Sequence, residues 1–302
     1  MHILSHKRAS FLGKQHGFTI VELIVVIVLL SIISLVTVGF ITSTMQGYAD
    51  LTRRDQLSSA VRVAVERMAR EIRNALPNSI RVDGAGQCIE FIPSLAASRY
   101  LSIPISASSS FPSVPFAVEP PIGRIAVYPI DTNTADEPAR PAGENPIYDL
   151  DSLSIISPLM SASSALESAS GTVDVLLTGT HRFPAESPSK RYFIVDEPVS
   201  FCIVGTDLYR FQGAEGSSYT FANSQPDGVT LFANLSEPQE ALLASDIVTP
   251  GDSSPFKYSE ATLLRNGIVL FDLFVQDQDL SVSDPTQESI RVQFEVQVKN
   301  VP

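Results

Sequence analysis

One apolar stretch near the start of the 302-residue chain limits its possible folds more than any other feature. It opens with Gly17-Phe18-Thr19-Ile20-Val21-Glu22 and continues without a further charge to Phe40. About 20 residues at ~1.5 Å each are enough for a helix to cross the ~30 Å hydrocarbon layer of a bilayer. The stretch therefore predicts a membrane-spanning helix over residues 18–40.

Glu22 is out of place in such a helix, because an ionisable group inside a membrane costs several kcal/mol unless it finds a partner. That partner must be cationic or must donate hydrogen bonds. A cut between Gly17 and Phe18 would supply one, since it leaves a free α-amino group four residues from the carboxylate. The amine could belong to the same subunit or to a neighbour.

The order Gly-Phe-Thr-Ile-Val-Glu, after a basic leader and before an apolar run, resembles the cleavage and methylation signature of type IV prepilins and type II secretion pseudopilins. In that family a membrane peptidase cuts after the glycine and methylates the new amino terminus. The resemblance implies that Gly17 and Phe18 flank the cut bond and that Phe18 becomes N-methylated. It also implies that Glu22 is the assembly carboxylate, which meets a neighbour's amino terminus. The alternative is an ordinary amino-terminal anchor that contains one glutamate.

The charges on either side of the apolar run predict its orientation. The leader, residues 1–17, carries Lys7, Arg8 and Lys14, whereas the other side begins Ile41-Thr42-Ser43-Thr44. The positive-inside rule places the leader in the cytoplasm and the rest of the chain across the membrane. No convincing Ala-x-Ala site follows the run, which argues against an ordinary secretory signal.

The composition limits what the rest of the chain can form and which partners it can bind. A hydrophobic content of 44% is enough for one globular domain beyond the membrane segment. The formal charge is −12, and loss of the three basic leader residues leaves 18 basic against 33 acidic residues, or −15. This balance argues against nucleic acid as a partner, because phosphates need a basic surface.

Cys88 and Cys202 are the only two cysteines. The predicted topology puts both in an oxidising compartment if the host is a Gram-negative bacterium. A disulfide between them would close a loop that the chain-entropy model values at roughly 4 to 5 kcal/mol. Two buried free thiols are the alternative.

A second helical pattern runs from Leu51 to Leu76 and stops at Pro77, which cannot continue a helix. Together with the apolar run it predicts a helix of about 59 residues and roughly 90 Å, half of it outside the bilayer. Gly39 and Gly47 weaken helix propensity where the helix would leave the lipid. A bend or local melting there is one expectation, and a continuous helix held by packing is the other.

The outer half of this helix is amphipathic. Oppositely charged residues four apart occupy one face, which we expect to be solvated or to face another subunit. The pairs are Arg62 with Glu66, Glu66 with Arg70, and Arg67 with Glu71. The apolar stripe recurs at spacings of three and four. Its members are Leu57, Val61, Ala64, Val65, Met68, Ile72 and Leu76.

From Ser79 onward, short β-branched and aromatic runs alternate with Pro, Gly, Ser and Asp, a pattern typical of antiparallel sheet. The clearest hairpin joins Val199–Val204 to Asp207–Phe211 through Gly205-Thr206. The clearest strand is Ser289–Val298, which alternates apolar and polar residues from Ile290. The other predicted strands are Ser79–Val82, Gln87–Ile92, Arg124–Tyr128, Thr172–Leu177, Arg191–Val195, Gly228–Phe232 and Ile268–Val275.

The predicted fold class is therefore α+β, with a long amino-terminal helix, half membrane-spanning and half amphipathic, packed on an antiparallel β-sheet domain with long loops. The proline-rich stretch from Pro93 to Pro146 and the Ser- and Ala-rich stretch from Ser157 to Gly171 predict those surface loops. The expected divisions are a cleaved leader (1–17), a membrane helix (18–40), its amphipathic continuation (41–77) and a periplasmic domain (78–302).

Beyond the amino terminus the resemblance becomes narrower. Residues 62–82 and the hairpin at 197–211 resemble the J-type minor pseudopilins, and the closing residues 296–302 resemble the minor pilins of mannose-sensitive haemagglutinin (MSHA) systems. The resemblance implies a low-abundance subunit that helps to prime or cap a fibre at the cell surface. Its implied partners are other major and minor pilins, the prepilin peptidase and an inner-membrane assembly platform. The rivals are a J-type pseudopilin of a type II secretion system and, from the long loops, an adhesive module at a pilus tip.

Few residues point to catalysis or metal binding. Three histidines lie in the leader, so the mature chain has only His181, which we expect to be exposed in a loop beside Arg182. No phosphate-binding loop, Gly-x-Ser-x-Gly or His-Glu-x-x-His motif occurs. The acidic stretches Asp131–Glu137 and Asp277–Asp284 favour solvated loops over calcium sites, since the first lacks the turn glycine. We expect no enzyme activity, no metal and no cofactor.

Overall fold

The structure, a computed structural model, describes residues 17, 19–116, 121–130, 146–148, 154–161, 171–213, 239–251, 253–261, 265–276 and 289–298. The chain divides into two compact units, Met1–Arg54 and Asp55–Pro302. Helix α1 (Ile20–Arg73) begins in the first and ends in the second. The strands are β1 (Arg81–Val82), β2 (Cys88–Phe91), β3 (Ser94–Arg99), β4 (Ser108–Ser113), β5 (Arg124–Val127), β6 (Ile156–Leu159), β7 (Val173–His181), β8 (Arg191–Val195), β9 (Val199–Val204), β10 (Asp207–Gln212), β11 (Gln239–Ala244), β12 (Ile247–Val248), β13 (Phe256–Ser259), β14 (Gly267–Gln276) and β15 (Ser289–Val298).

Helix α1 is continuous through Gly39 and Gly47, so the helix does not melt at these glycines. It ends at Arg73, three residues before the predicted end at Leu76. The last turn tightens, since Asn74 N donates to Glu71 O and Ala75 N donates to Ile72 O, both at 3.0 Å. Bonds of this i to i−3 type are common where a helix terminates.

In the second unit, α1 buries the predicted apolar stripe. Leu57 is partly buried at its start, and Leu76 belongs to a separate cluster beyond the helix. Each fully buried aliphatic side chain contributes ~1.5–3 kcal/mol relative to exposure. The buried helical residues are Val61, Ala64, Val65, Met68, Ala69 and Ile72. They share one core with apolar residues of two antiparallel sheets.

The first sheet has the strand order β1-β2-β9-β10-β11, and the second is built around β14, with β15 along one side and β12 and β13 along the other. The predicted hairpin between β9 and β10 is present, with Val204 paired to Asp207 and Gly205 at φ +64°. Strand β15 alternates as predicted, with Val296 and Val298 buried. The predicted α+β class is thus confirmed. The predicted strand Gly228–Phe232 lies outside the described residues.

The six remaining strands close into an antiparallel barrel. Strand β8 pairs with β3 and with β5, β5 pairs with β6, and β4 pairs with β7. Isolated bridges complete the ring, Tyr100 to Ser113 between β3 and β4, and Met160 to Leu177 between β6 and β7. Side chains fill the interior, as in other small barrels. They are Tyr100, Ile103, Phe111, Ile125, Val127, Met160, Val175, Leu177, Phe183, Tyr192 and Ile194.

The barrel shows that the prediction of long surface loops at 93–146 and 157–171 was wrong in part. Strands β3 and β4 and most of β6 lie in these stretches. Directly after the first stretch, Ile147 and Tyr148 are buried in a 3₁₀ turn. Strand β4 is rich in Ser and Pro, and strand β3 has small side chains on its inward face, where Ala96 packs against the barrel core. Only a few large residues, such as Phe111, face inward. The composition therefore imitates that of a loop, although the backbone is extended.

A buried polar network lies beside the apolar cluster that contains Leu76, Tyr148 of the 3₁₀ turn and Phe193 of β8. Arg81 Nε donates to Glu90 Oε1 at 2.8 Å, and Ser200 Oγ donates to Glu90 Oε2 at 2.9 Å. The Arg81 guanidinium also lies 3.6 Å from the ring centre of Tyr148, whose hydroxyl donates to Ser79 O at 2.7 Å. Buried charges are tolerated when they are paired and hydrogen-bonded in this way. The network links the first sheet to the 3₁₀ turn beside the barrel.

Candidate functional site

The candidate site is the head of α1, where Thr19 caps the first turn. Thr19 Oγ1 accepts a hydrogen bond from Glu22 N at 3.3 Å, and Thr19 O accepts one from Leu23 N at 3.2 Å. Thr19 is thus the N-cap and Glu22 the third helical residue, the two positions of a Thr-x-x-Glu capping box. A carboxylate in the first turn is also stabilised by the positive end of the helix dipole.

This arrangement gives Glu22 a local role that the sequence reasoning missed. The signal was present, because Thr or Ser followed three residues later by Glu marks helix starts. The Glu22 side chain is exposed. The carboxylate can therefore support its own helix and remain accessible to a group from another molecule.

Gly17 and Phe18 are the predicted cleavage residues, and the structure describes the first of them. Gly17 is exposed, and a Cβ added to it would meet no atom within 4 Å. Phe18 lies outside the described residues. The described fold therefore does not need a glycine at position 17, so a requirement for glycine there has to come from another molecule.

The apolar half of α1 is exposed on all sides within the first unit. Every side chain from Ile20 to Leu51 is exposed, and α1 is the one helix of the described chain that is long and apolar enough to cross a membrane. Ser31 Oγ donates to Ile27 O at 2.8 Å, and Thr37 Oγ1 donates to Ile33 O at 2.7 Å. Such bonds satisfy hydroxyl groups where no water is present. This segment suits a membrane anchor.

Cys88 and Cys202, the predicted disulfide, are joined in the structure. They lie directly opposite each other on β2 and β9, with Cα atoms 4.2 Å apart, and both are buried beside Phe211. All six barrel strands lie in the segment between them. A bond at this position closes the whole barrel insertion into a covalent loop, which restricts the unfolded chain.

The expectation that His181 is exposed was wrong. It is the last residue of β7 and is 1% exposed. Its ring centre lies 4.5 Å from that of Phe183, and its Nε2 lies 3.0 Å from Ser154 O, while Nδ1 has no hydrogen-bond partner in the described residues. Although Arg182 beside it is exposed, alternation along the strand turns the imidazole inward.

Burial lowers the pKa of His181 below its ordinary value of 6.5, and the contact with Ser154 O offsets this in part. The unfolded chain therefore binds a proton that the folded chain excludes, and we expect the free energy of unfolding to fall as the pH drops below 6.5. His181→Gln, which keeps a donor for Ser154 O, should make this pH dependence smaller. Urea titrations followed by circular dichroism on both sides of that pH would measure it, and an equal pH dependence in the variant would contradict the assignment.

Metal ligands do not cluster in the part of the chain that the structure describes, where no three His, Cys, Asp or Glu side chains group suitably. The acidic stretches Asp131–Glu137 and Asp277–Asp284 lie outside it. The choice between solvated loops and calcium sites for these stretches stays a prediction.

A family model, the prokaryotic N-terminal methylation motif, matches residues 12–38. The match includes the end of the leader, the capped helix start at Thr19–Glu22 and most of the apolar run. Neither curated proteins nor solved structures gave a match. The chain thus carries a prepilin-type methylation motif at the head of an exposed apolar helix, which supports a place among type IV pilins and pseudopilins.

Proposed function

We propose that the chain is a pilin-like subunit, cut between Gly17 and Phe18 by a prepilin peptidase, methylated at Phe18 and assembled into a filament through α1. The observation that carries this proposal is the methylation motif over residues 12–38. The exposed apolar helix, followed by an α+β unit, supports it. The role is structural, so no catalytic residues are assigned.

In this proposal Glu22 pairs with the methylated amino terminus of a neighbouring subunit. Its exposure at the head of the helix supports such a contact. Capping alone does not require the charge, because Gln serves at the same position of a capping box. Glu22→Gln therefore separates the two roles, since it keeps the cap and removes the negative charge.

We expect Glu22→Gln to permit membrane insertion and cleavage but to lower incorporation into fibres at least tenfold. An ammonium left without a partner beside hydrocarbon costs several kcal/mol, and about 1.4 kcal/mol already corresponds to a factor of ten. Thr19→Ala is the control, because it removes the cap and keeps the charge. Mass spectrometry of sheared fibres would give the subunit content, and wild-type levels in Glu22→Gln would refute the pairing role.

At finer detail we propose a minor pilin of the MSHA type, similar to MshO, that helps to prime or cap a fibre. Other pilins, the prepilin peptidase and an inner-membrane assembly platform are its proposed partners. The precursor would sit in the inner membrane with its leader cytoplasmic and the unit Asp55–Pro302 periplasmic. The resemblance of residues 296–302 supports the MSHA type, and Glu22 suits a position beneath another subunit. The rival is a J-type pseudopilin of a type II secretion system, and the neighbouring genes would separate the two.

The rival role of an adhesive tip module depends on long loops at 93–146 and 157–171. Parts of both stretches form barrel strands with buried side chains. A role in contacts with other molecules has to be argued from the barrel surface itself.

A further inference from the structure

Two arginines face each other on the outer wall of the barrel. Arg99 of β3 pairs directly with Arg191 of β8. The adjacent Tyr100 N donates to Lys190 O at 3.0 Å, so the two arginines form a non-hydrogen-bonded pair, for which Cα atoms lie ~4.5 Å apart. Their neighbours Tyr100 and Tyr192 fill the barrel interior, so alternation places both arginines outside.

A third cation adjoins this pair. Lys190 has φ +52°, in the left-handed region that a residue with a side chain seldom adopts. Its Nζ donates to Leu101 O at 3.2 Å, which brings the ammonium to the end of β3, two residues from Arg99. Arg99, Arg191 and Lys190 are called the cationic patch below.

The fold itself does not account for the patch. In the described part of the chain, neither Arg99 nor Arg191 forms an ion pair, whereas Arg81 and Arg291 pair with carboxylates on their neighbouring strands. Like charges directly opposite each other destabilise an antiparallel ladder. The chain has 33 acidic residues and 21 Lys and Arg residues. Two adjacent unpaired arginines in such an acidic chain suggest a ligand outside the fold.

Aliphatic side chains border the patch on the side of β4. Val114 N donates to Arg99 O and Leu101 N donates to Pro112 O, both at 2.9 Å, so Val114 and Leu101 lie next to the patch. Leu101 is 44% exposed and Val114 45%. Arginine is enriched at protein–protein interfaces relative to the rest of the protein surface, and exposed aliphatic groups beside it offer apolar area that a partner can bury.

We propose that the cationic patch, with its border of Leu101 and Val114, binds a segment of another protein in which carboxylates stand beside aliphatic side chains. Guanidinium groups pair with carboxylates in a bidentate manner. Leu101 and Val114 would pack against aliphatic side chains of the same segment. A uniformly charged polysaccharide has no such side chains, so the border favours a protein as the partner. This interaction goes beyond the proposed function and depends on neither cleavage nor Glu22.

The charge argument is tested first by Arg191→Glu in the full chain. The new carboxylate would face Arg99 and turn a repulsive pair into an attractive one, so the melting temperature should rise by about 1 to 4 °C. Arg182→Glu is the matched control, since Arg182 is exposed just after β7 and the change in net charge is the same. A lower melting temperature for Arg191→Glu alone would show that the fold needs this arginine, and would overturn the proposal.

Binding is tested in the host membrane with photoreactive benzoylphenylalanine in place of Val114. We expect a cross-link to a protein segment that contains Asp or Glu. Arg99→Glu combined with Arg191→Glu should lower its yield at least about fivefold, and Arg182→Glu should leave it within about twofold. No cross-linked protein, or a yield that the charge reversals leave unchanged, would overturn the proposal. The proposal would also be overturned if the full chain bound to heparin and the same charge reversals abolished that binding, because the patch would then bind a polysaccharide. The mass of the chain in the same samples reports separately on leader cleavage.

Discussion

Gly17→Ala should leave the complete leader on nearly all copies of the chain, which would then accumulate in the membrane as the precursor. The expected cause is the peptidase and not the fold, because a Cβ at Gly17 meets no atom within 4 Å. The leader keeps its three basic residues, so insertion and orientation should be unchanged. Intact-mass measurement of membrane extracts would show the precursor.

Gly39→Ala provides the matched control for this variant. It makes the same chemical change in the apolar helix, also with no atom within 4 Å of the new Cβ. Alanine is the better helix former by about 1 kcal/mol, so α1 should tolerate it. We expect normal cleavage of Gly39→Ala. A mature mass in Gly17→Ala would remove the peptidase from the proposal.

Joint replacement of Cys88 and Cys202 by alanine should lower the free energy of unfolding by about 4 to 5 kcal/mol. The cysteines are 114 residues apart and enclose all six barrel strands, so the disulfide restricts a large part of the unfolded chain. Guanidinium titrations followed by circular dichroism suit a chain without tryptophan. Reductant should destabilise the wild type and leave the double variant unaffected.

Peptide mapping without reductant provides an independent check on the disulfide. Material from the native host should yield one cross-linked species that contains both cysteines. Free thiols at both positions, or a double variant within about 1 kcal/mol of the wild type, would show that the bond does not support the fold.

Structural features that depend on the pattern of residues close together in the sequence could be predicted. The apolar run, the amphipathic stripe up to Ile72 and the hairpin turn at Gly205 each depend on residues only a few positions apart. Gly17, Phe18 and Glu22 also form one contiguous motif, but their roles in cleavage, methylation and assembly stay a prediction. The role of Thr19 is also local, since Thr-x-x-Glu over residues 19–22 is the pattern of a capping box, although the surrounding apolar run draws attention to Glu22 as a membrane charge.

The barrel could not be predicted in this way, because contacts between distant residues close it. The bridge between Met160 and Leu177 joins β7, which the sequence predicts in part, to β6, which its own composition barely marks. Strand β4, Ser-Ser-Ser-Phe-Pro-Ser, has one large side chain and a proline, so neither β-propensity nor alternation identifies it. The burial of His181 and the pairing of Arg99 with Arg191 follow from the same closure, since register decides which face each side chain occupies.

The central claim is that a cut after Gly17 creates a positively charged amino terminus with which Glu22 can pair. Identifying the amino-terminal residue of the protein from its native host tests this claim most directly. Amino-terminal sequencing combined with intact mass should find a chain that begins at N-methylated Phe18. A chain that begins at Met1, or one cut beyond the apolar run, would contradict it.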